Sequence, residues 1–266
     1  NMNNRVWITG ANGFIGRHLA KAFINKKVIK FFKTNSSSLM ENKSKFSFSL
    51  DEDGIKSAID MHGYPDQVFH LAGAPTVGQS FSNSHKDFVS NVYTTELLLE
   101  ALKGSKANIV YASSAAVYGD GHSESIKVSD SLAPRSPYGH NKIISEELIK
   151  SFVNNFDLSA TILRLFSIYG PGLQKQLLFD CCVKLYKSSS NDTLVLGGTG
   201  EEIRDWLEVS DVTNAMINLD KLNSGCLKIY NLASGSPIKI QAIADMVISN
   251  WGKRLSLIHI SEPTRP

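Results

Sequence analysis

The chain has 266 residues, 42% of them hydrophobic and 20% charged, which is enough apolar material for one large core or two coupled domains. A net charge of +3 is too small to point to nucleic acid, and no apolar run reaches the roughly 18 residues that a membrane span needs, so a cytoplasmic protein with neither nucleic acid nor membrane as partner is expected. Cys181, Cys182 and Cys226 are odd in number and two are adjacent, which suggests neither a disulfide framework nor a metal site.

Short β-branched or aromatic runs alternate with longer segments of helical period, the pattern of βαβ units on a parallel sheet. In chain order, the sequence predicts a strand at residues 5–9, a helix at 13–24, a strand at 28–33, a surface loop at 35–47 and a helix at 54–61. A strand at 67–71, a helix at 87–102, a strand at 108–112, a helix at 138–155 and a strand at 160–166 follow, with later helices at 174–187, 209–221 and 240–251. Gly170-Pro171-Gly172 and Gly197-Gly198-Thr199-Gly200 interrupt the alternation over residues 167–208. The expected fold is therefore α/β. A Rossmann-type doubly wound parallel sheet spans residues 1–166, and a smaller, truncated substrate lobe spans 167–256, with segments returning to the core. Residues 257–266 continue no pattern and resemble translated sequencing-adapter DNA; a non-native tail is expected, with a genuine C-terminal strand as the alternative.

Gly10-Ala11-Asn12-Gly13-Phe14-Ile15-Gly16 follows the first strand directly and opens a helix, the context that a dinucleotide fingerprint requires. Glycines permit the tight turn and let backbone approach a pyrophosphate, whose charge then sits at the helix N-terminus. Gly10, Asn12, Gly13, Phe14, Ile15 and Gly16 are the candidate contacts. The acid that usually binds the adenosine ribose should lie about 20 residues further on. Residues 17–40 contain no Asp or Glu; Lys30 and Lys33 stand there instead, followed by Thr34, Asn35 and three serines. Residues 1–50 carry nine Lys or Arg against the single acid Glu41. This favours the 2′-phosphate of NADP, at Lys33 above all, over NAD.

Tyr138 and Lys142 lie four residues apart on one helix face. A nearby cation can lower the pKa of a phenol from about 10 and fit it for acid–base catalysis. Upstream, residues 109–119 run from a strand into a loop of small residues, which places Ser114 at a strand's C-terminal end, where open parallel sheets bind ligands. Its hydroxyl can donate to a substrate oxygen while Tyr138 exchanges a proton.

Together these segments resemble the extended short-chain dehydrogenase/reductase family, the nucleotide-sugar epimerases and dehydratases. The resemblance runs from Val6 to about Trp251 and includes His70-Leu71-Ala72-Gly73, Asn91, Ser113 to Gly119, Tyr138 to Lys142, Arg164 to Gly172 and Arg204 to Val212. It implies that Leu71, Ala72, Gly73 and Asn91 lie along the cofactor and that Lys142 holds the nicotinamide ribose. It further implies that Tyr138 is the acid/base and that Ser114 meets the reacting sugar oxygen. Arg204 is similar to the family's arginine that grips the nucleotide diphosphate, and Ser167 stands where many relatives place an Asn near that group. Ser49 stands where many have an Asp near the adenine. His70 reads as a packed strand-end residue and His140 as solvent-facing.

The implied partner is a nucleotide-diphosphate sugar, and a homodimer is left open. The implied reaction is 4-epimerisation through a transient 4-keto sugar, with NADPH-dependent 4-keto-sugar reduction as the alternative. A dinucleotide sensor or scaffold is a remote third reading. Dehydration ranks last, because relatives that dehydrate carry Asp-Glu where this chain has Ala115 and Ala116.

Overall fold

The structure, a computed structural model, describes residues 5–23, 27–33, 44–74, 76–121, 125–188, 193–219, 223–251 and 256–260. The chain divides into two compact units, one made of residues 1–165 and 210–232 and the other of residues 166–209 and 233–266.

The first unit carries a seven-stranded sheet. In chain order its elements begin with β1 (Val6–Thr9), α1 (Phe14–Ala22), β2 (Val28–Phe32), β3 (Ser47–Ser49), α2 (Glu52–His62) and β4 (Gln67–His70). Next come α3 (Val77–Ser82), α4 (Ser84–Phe88), a π-helical turn (Val89–Tyr93), α5 (Thr94–Leu102) and β5 (Asn108–Ser114). A 3-10 turn (Ala115–Val117), α6 (Pro137–Asn155) and β6 (Ser159–Leu165) complete the stretch. A later strand, Leu227–Leu232, pairs with β6 at the sheet edge. All neighbours are parallel, and the order β3-β2-β1-β4-β5-β6 is that of a doubly wound dinucleotide fold.

Strands covered on both faces read as unbroken apolar runs, and every residue of β1 and of β6 is buried. On one face Trp7, Phe31, Val68, Ile109 and Ile162 form a continuous core with Ile55 of α2, Leu98 and Leu102 of α5, and Ile149 and Val153 of α6. On the other, the Phe23 ring at the end of α1 meets Phe69 of β4 at 5.7 Å.

The structure differs from the sequence reading in three places that bear on the site. Strand β5 runs on two residues past its predicted end, and Ser114 is its last residue, at the C-terminal end where ligands bind. The helix predicted over 87–102 starts three residues earlier and is interrupted by the π turn. The loop predicted at 35–47 ends in an edge strand; residues 34–43, which include Thr34, Asn35 and the three serines, lie outside the described residues.

The second unit contains β7 (Ser167–Tyr169), α7 (Gln176–Lys187), β8 (Thr193–Gly197) and β9 (Ile203–Glu208). Beyond them lie α8 (Val209–Ile217), which leads into the first unit, and β10 (Leu227–Leu232), the edge strand beside β6. Then come β11 (Pro237–Lys239), α9 (Ile240–Trp251) and β12 (Ser256–Ile260). Strands β11, β9 and β7 form one small sheet. Cys181 and Leu185 of α7, Leu196 of β8, and Ala244 and Ile248 of α9 form the unit's own core. Of the tail expected to be foreign, residues 257–260 lie in β12, parallel to β8, and 261–266 are outside the described residues. Pairing there reflects β-propensity and says nothing of the segment's origin. Among the described residues no helix is long and apolar enough to cross a membrane.

Candidate active site

Strands β1, β4 and β5 of the parallel sheet end side by side, and the loops after them converge. Gly10 turns the chain out of β1 with φ +66°, a left-handed conformation that favours glycine. A Cβ there would also lie 2.8 Å from the Ala72 backbone nitrogen, so only glycine lets the two loops approach so closely. The Gly13 N–H donates to the Gly10 carbonyl at 2.9 Å, and α1 begins at Phe14 with no side-chain cap on Gly13 and no acid in its first turn. A helix start of this kind suits an anion. Gly16 is buried, Phe14 and Ile15 are half-buried, and Asn12 is exposed at the mouth of the loop.

One buried network ties these loops together. The Thr9 hydroxyl accepts from the Leu71 and Ala72 backbone N–H groups at 3.2 and 3.1 Å, and so donates its own proton to His70 Nδ1 at 2.7 Å. His70 Nε2 then donates to the Thr95 hydroxyl at 2.9 Å, which donates to the Asn91 carbonyl at 2.5 Å. With both ring nitrogens engaged, and with burial first and the Lys142 charge second acting against protonation, the His70 pKa falls to about 3. His70 is thus a neutral tether between strands, as a packed strand-end residue should be.

Helix α6 carries Tyr138 and Lys142. Ser136 caps it by accepting from the Gly139 N–H at 3.1 Å, and Pro137 occupies the first turn, where no backbone donor is required. A Cβ on Gly139 would lie 2.7 Å from the Ala116 carbonyl, so the helix start sits directly on the turn after β5. That approach sets the Tyr138 phenol beside the Ser114 hydroxyl, which accepts from the Ala116 N–H at 3.2 Å. One turn on, the buried Lys142 ammonium donates to the Ala112 carbonyl at 2.9 Å and lies 5.7 Å from the Tyr138 ring centre. Burial lowers the Lys142 pKa to about 8, against the opposing pull of the Asp87 and Glu146 carboxylates. Tyr138 is pushed up to about 12, by burial first and by the Asp87 charge after the opposing Ser114 hydrogen bond. The expected lowering by Lys142 does not appear in the protein alone, and the phenol keeps its proton.

A Cβ on Gly73 would lie 2.7 Å from Asn91 Oδ1 and 3.2 Å from Lys142 Nζ. This side-chain-free space is bordered by a cation and by a buried amide oxygen that lacks a donor among the described residues, a fit for the hydroxyl groups of a ribose. Leu71 and Ala72 flank it, half-buried. Lys33 is exposed just beyond β2.

Beneath the site, Glu146 and Arg164 form a buried pair with Nη2 to Oε2 at 2.8 Å and Nε to Oε1 at 3.1 Å. Arg164 also donates to the Tyr118 hydroxyl at 2.8 Å, and Tyr118 donates to Asn231 on β10 at 2.7 Å. Sequence reasoning missed Asp87, Asn141, Ser145 and Glu146 as parts of this region. The available signal was their spacing: Asn141, Ser145 and Glu146 share the apolar face of α6 with Ile149 and Val153.

In the second unit, Ser167 is half-buried on β7, and Arg204 is exposed on β9 with its Nη1 donating to the Ile203 carbonyl at 3.0 Å. His140 is exposed, and Ser49 donates to the carboxylate of Asp51, the N-cap of α2, at 2.8 Å.

The model of the NAD dependent epimerase/dehydratase family matches residues 6–233. The uncharacterized UDP-glucose epimerase YtcB of Bacillus subtilis is 26% identical, with 97% of this chain and 85% of that protein aligned. The dTDP-D-glucose 4,6-dehydratase of Dictyostelium discoideum is 30% identical, with 92% of this chain and 62% of that protein aligned. Among solved structures, the UDP-glucuronic acid 4-epimerase of Bacillus cereus, in complex with UDP-glucuronic acid and NAD, superposes with a TM-score of 0.82 at 26% identity, over 98% of this chain and 88% of that one. With the family model covering most of its length and the sheet order and glycine loop of such proteins in place, this chain belongs to the NAD dependent epimerase/dehydratase family.

Proposed function

We propose that the chain is an NAD(P)-dependent nucleotide-sugar 4-epimerase that works through a transient 4-keto sugar. The observation that carries the reading is the placement of the Tyr138 phenol beside the Ser114 hydroxyl, with the buried Lys142 ammonium one helical turn away. A bound dinucleotide would supply a hydride acceptor and donor and, when oxidised, a positive charge that favours the phenolate. In its phenolate form Tyr138 takes the proton of the sugar's C4 hydroxyl as that carbon is oxidised, and it returns that proton when the ketone is reduced on its other face. Ser114 donates to the same oxygen and keeps it within reach of the phenol. Lys142 and Asn91 border the Gly73 space and hold the nicotinamide ribose, while Gly10 to Gly16 receive the pyrophosphate. Arg204, with Ser167, grips the nucleotide diphosphate, a role suited to a guanidinium fork. Ala115 and Ala116 leave no carboxylate in the turn after β5, which argues against dehydration.

The acid-free stretch from residue 17 to residue 40 and the exposed Lys33 support NADP(H) over NAD(H). They also favour the second reading, a 4-keto-sugar reductase consuming NADPH. Incubation with UDP-sugars and their 4-keto forms, following sugar configuration and cofactor absorbance together, tests both readings. Inversion at C4 without net cofactor change is the expected result; stoichiometric loss of NADPH with the keto sugar would establish the reductase instead.

A further inference from the structure

Asp87, on α4, is only 3% exposed, and no ion pair involves it among the described residues. A buried carboxylate is costly unless its oxygens are used. One of them is: Asp87 Oδ2 accepts from Asn91 Nδ2 at 3.2 Å and from Asn141 Nδ2 at 2.7 Å. The Asp87 backbone carbonyl accepts from the same Asn91 nitrogen at 3.0 Å. Neither the hydride chemistry nor the packing of the core calls for this cluster.

We propose that Asp87 is a positioning residue that locks the Asn91 side-chain amide with its oxygen toward Gly73 and Lys142, so that the ribose-binding wall is set before any ligand arrives. The inference rests on reading that wall as a dinucleotide site. A carbonyl oxygen and a carboxylate oxygen can only accept, so the Asn91 amide must turn its N–H groups to Asp87 and its Oδ1 the opposite way. That oxygen is the one facing the Gly73 space. The backbone of Asn91 is fixed as well, since its carbonyl in the π turn accepts from the Thr95 and Ser145 hydroxyls at 2.5 and 3.2 Å. Through Asn141, the residue before Lys142, the same carboxylate joins the π turn to α6. Asn91 and Lys142 thus reach one space from two helices that Asp87 holds in register. Pre-setting of this kind raises affinity by lowering the ordering cost of binding.

The test is titration of NADP+ and NAD+ into the full chain by calorimetry, for the unmodified protein, Asp87→Ala, Asp87→Asn, Asn91→Ala and the double variant Asp87→Ala/Asn91→Ala. Asp87→Ala and Asn91→Ala should each weaken binding by roughly ten- to hundredfold, the range expected for losing a hydrogen bond that involves a charge. The double variant should bind no more weakly than Asn91→Ala, because the effect of Asp87 passes through that amide. Asp87→Asn keeps an acceptor for both amides and should stay within about threefold of the unmodified protein. Unchanged binding by Asp87→Ala, additive losses in the double variant, or an Asp87→Asn as weak as Asp87→Ala would each overturn the proposal. Should Asp87→Ala fail to fold, hydrogen exchange of the Asn91 side-chain N–H protons, followed by NMR in the unmodified, ligand-free chain, decides the matter: protection is expected, and free exchange overturns the locking. An unmodified chain that takes up neither dinucleotide would instead sink the reading of the site, a result separable from the state of the Asn91 amide.

Discussion

Ser113 donates to the carboxylate of Glu146 at 2.5 Å, joining the residue before Ser114 to the residue one turn beyond Lys142. The strand end and the helix that carry the three site residues are therefore fastened by a contact that excludes water, since Ser113 is 3% exposed and Glu146 fully buried.

Arg164 neutralises that carboxylate, so removing the arginine alone leaves a buried charge without its partner. Arg164→Met should cost about 3–5 kcal/mol in urea unfolding. Adding Glu146→Gln removes the stranded charge and retains an acceptor for Ser113, so the double variant should be more stable than Arg164→Met. A double variant less stable than the single one would show that the charge of Glu146 is needed for some other reason.

Deleting the phenolic hydroxyl by Tyr138→Phe keeps the ring packed and removes the proton carrier. Turnover of a nucleotide sugar should fall by about 10²- to 10⁴-fold, the usual worth of general acid–base catalysis. Ser114→Ala should cost less, since it removes one hydrogen bond and no proton acceptor. Steady-state rates at saturating sugar distinguish the two, and a Tyr138→Phe protein with unmodified rates would refute the mechanism.

Cofactor choice is tested at Lys33. A negative charge there repels a 2′-phosphate, so Lys33→Asp should reverse or flatten a preference for NADP(H). Competitive titration of the two oxidised dinucleotides reads the ratio directly. Clear preference for NAD(H) in the unmodified protein would exclude this role for the lysine.

His70 makes the fold sensitive to acid. In the unfolded chain its imidazole takes a proton near pH 6.5, whereas in the fold it does so only near 3. Between those values the unfolded state binds more protons, so stability falls as the pH drops from about 6.5 towards 3, by on the order of 5 kcal/mol in total. His70→Gln removes this contribution, and its unfolding free energy should fall less steeply across that window. Parallel slopes for the two proteins would mean that His70 is not the group responsible.

What could be read in the sequence was what acts locally. Gly10 to Gly16 between a strand and a helix, and Tyr138 four residues before Lys142, announce themselves by spacing, and the structure sets them in the elements that spacing implies. The pairing of Glu146 with Arg164 could not be recognised in the same way, because charged side chains are ordinarily exposed and only the fold shows that these two neutralise each other. The π turn around Asn91 hardly disturbs the helical period, and so it reads as ordinary helix. Strand β10 and the short strands of the second unit owe their existence to partners far along the chain, which local preference cannot reveal.

The edge strand β10 has a consequence for how the protein is made. It pairs with β6, yet residues 166–209 of the other unit come between them in the chain. A nascent polypeptide grows at roughly 5–20 residues per second. For several seconds after Leu165 has been synthesised, β6, whose seven residues are all destined for burial, offers an open row of backbone donors and acceptors. Such an edge invites pairing with another chain. The first unit therefore cannot close its sheet by folding strictly in order of synthesis, and a polypeptide released before residue 227 would expose an adhesive flank that the finished protein covers.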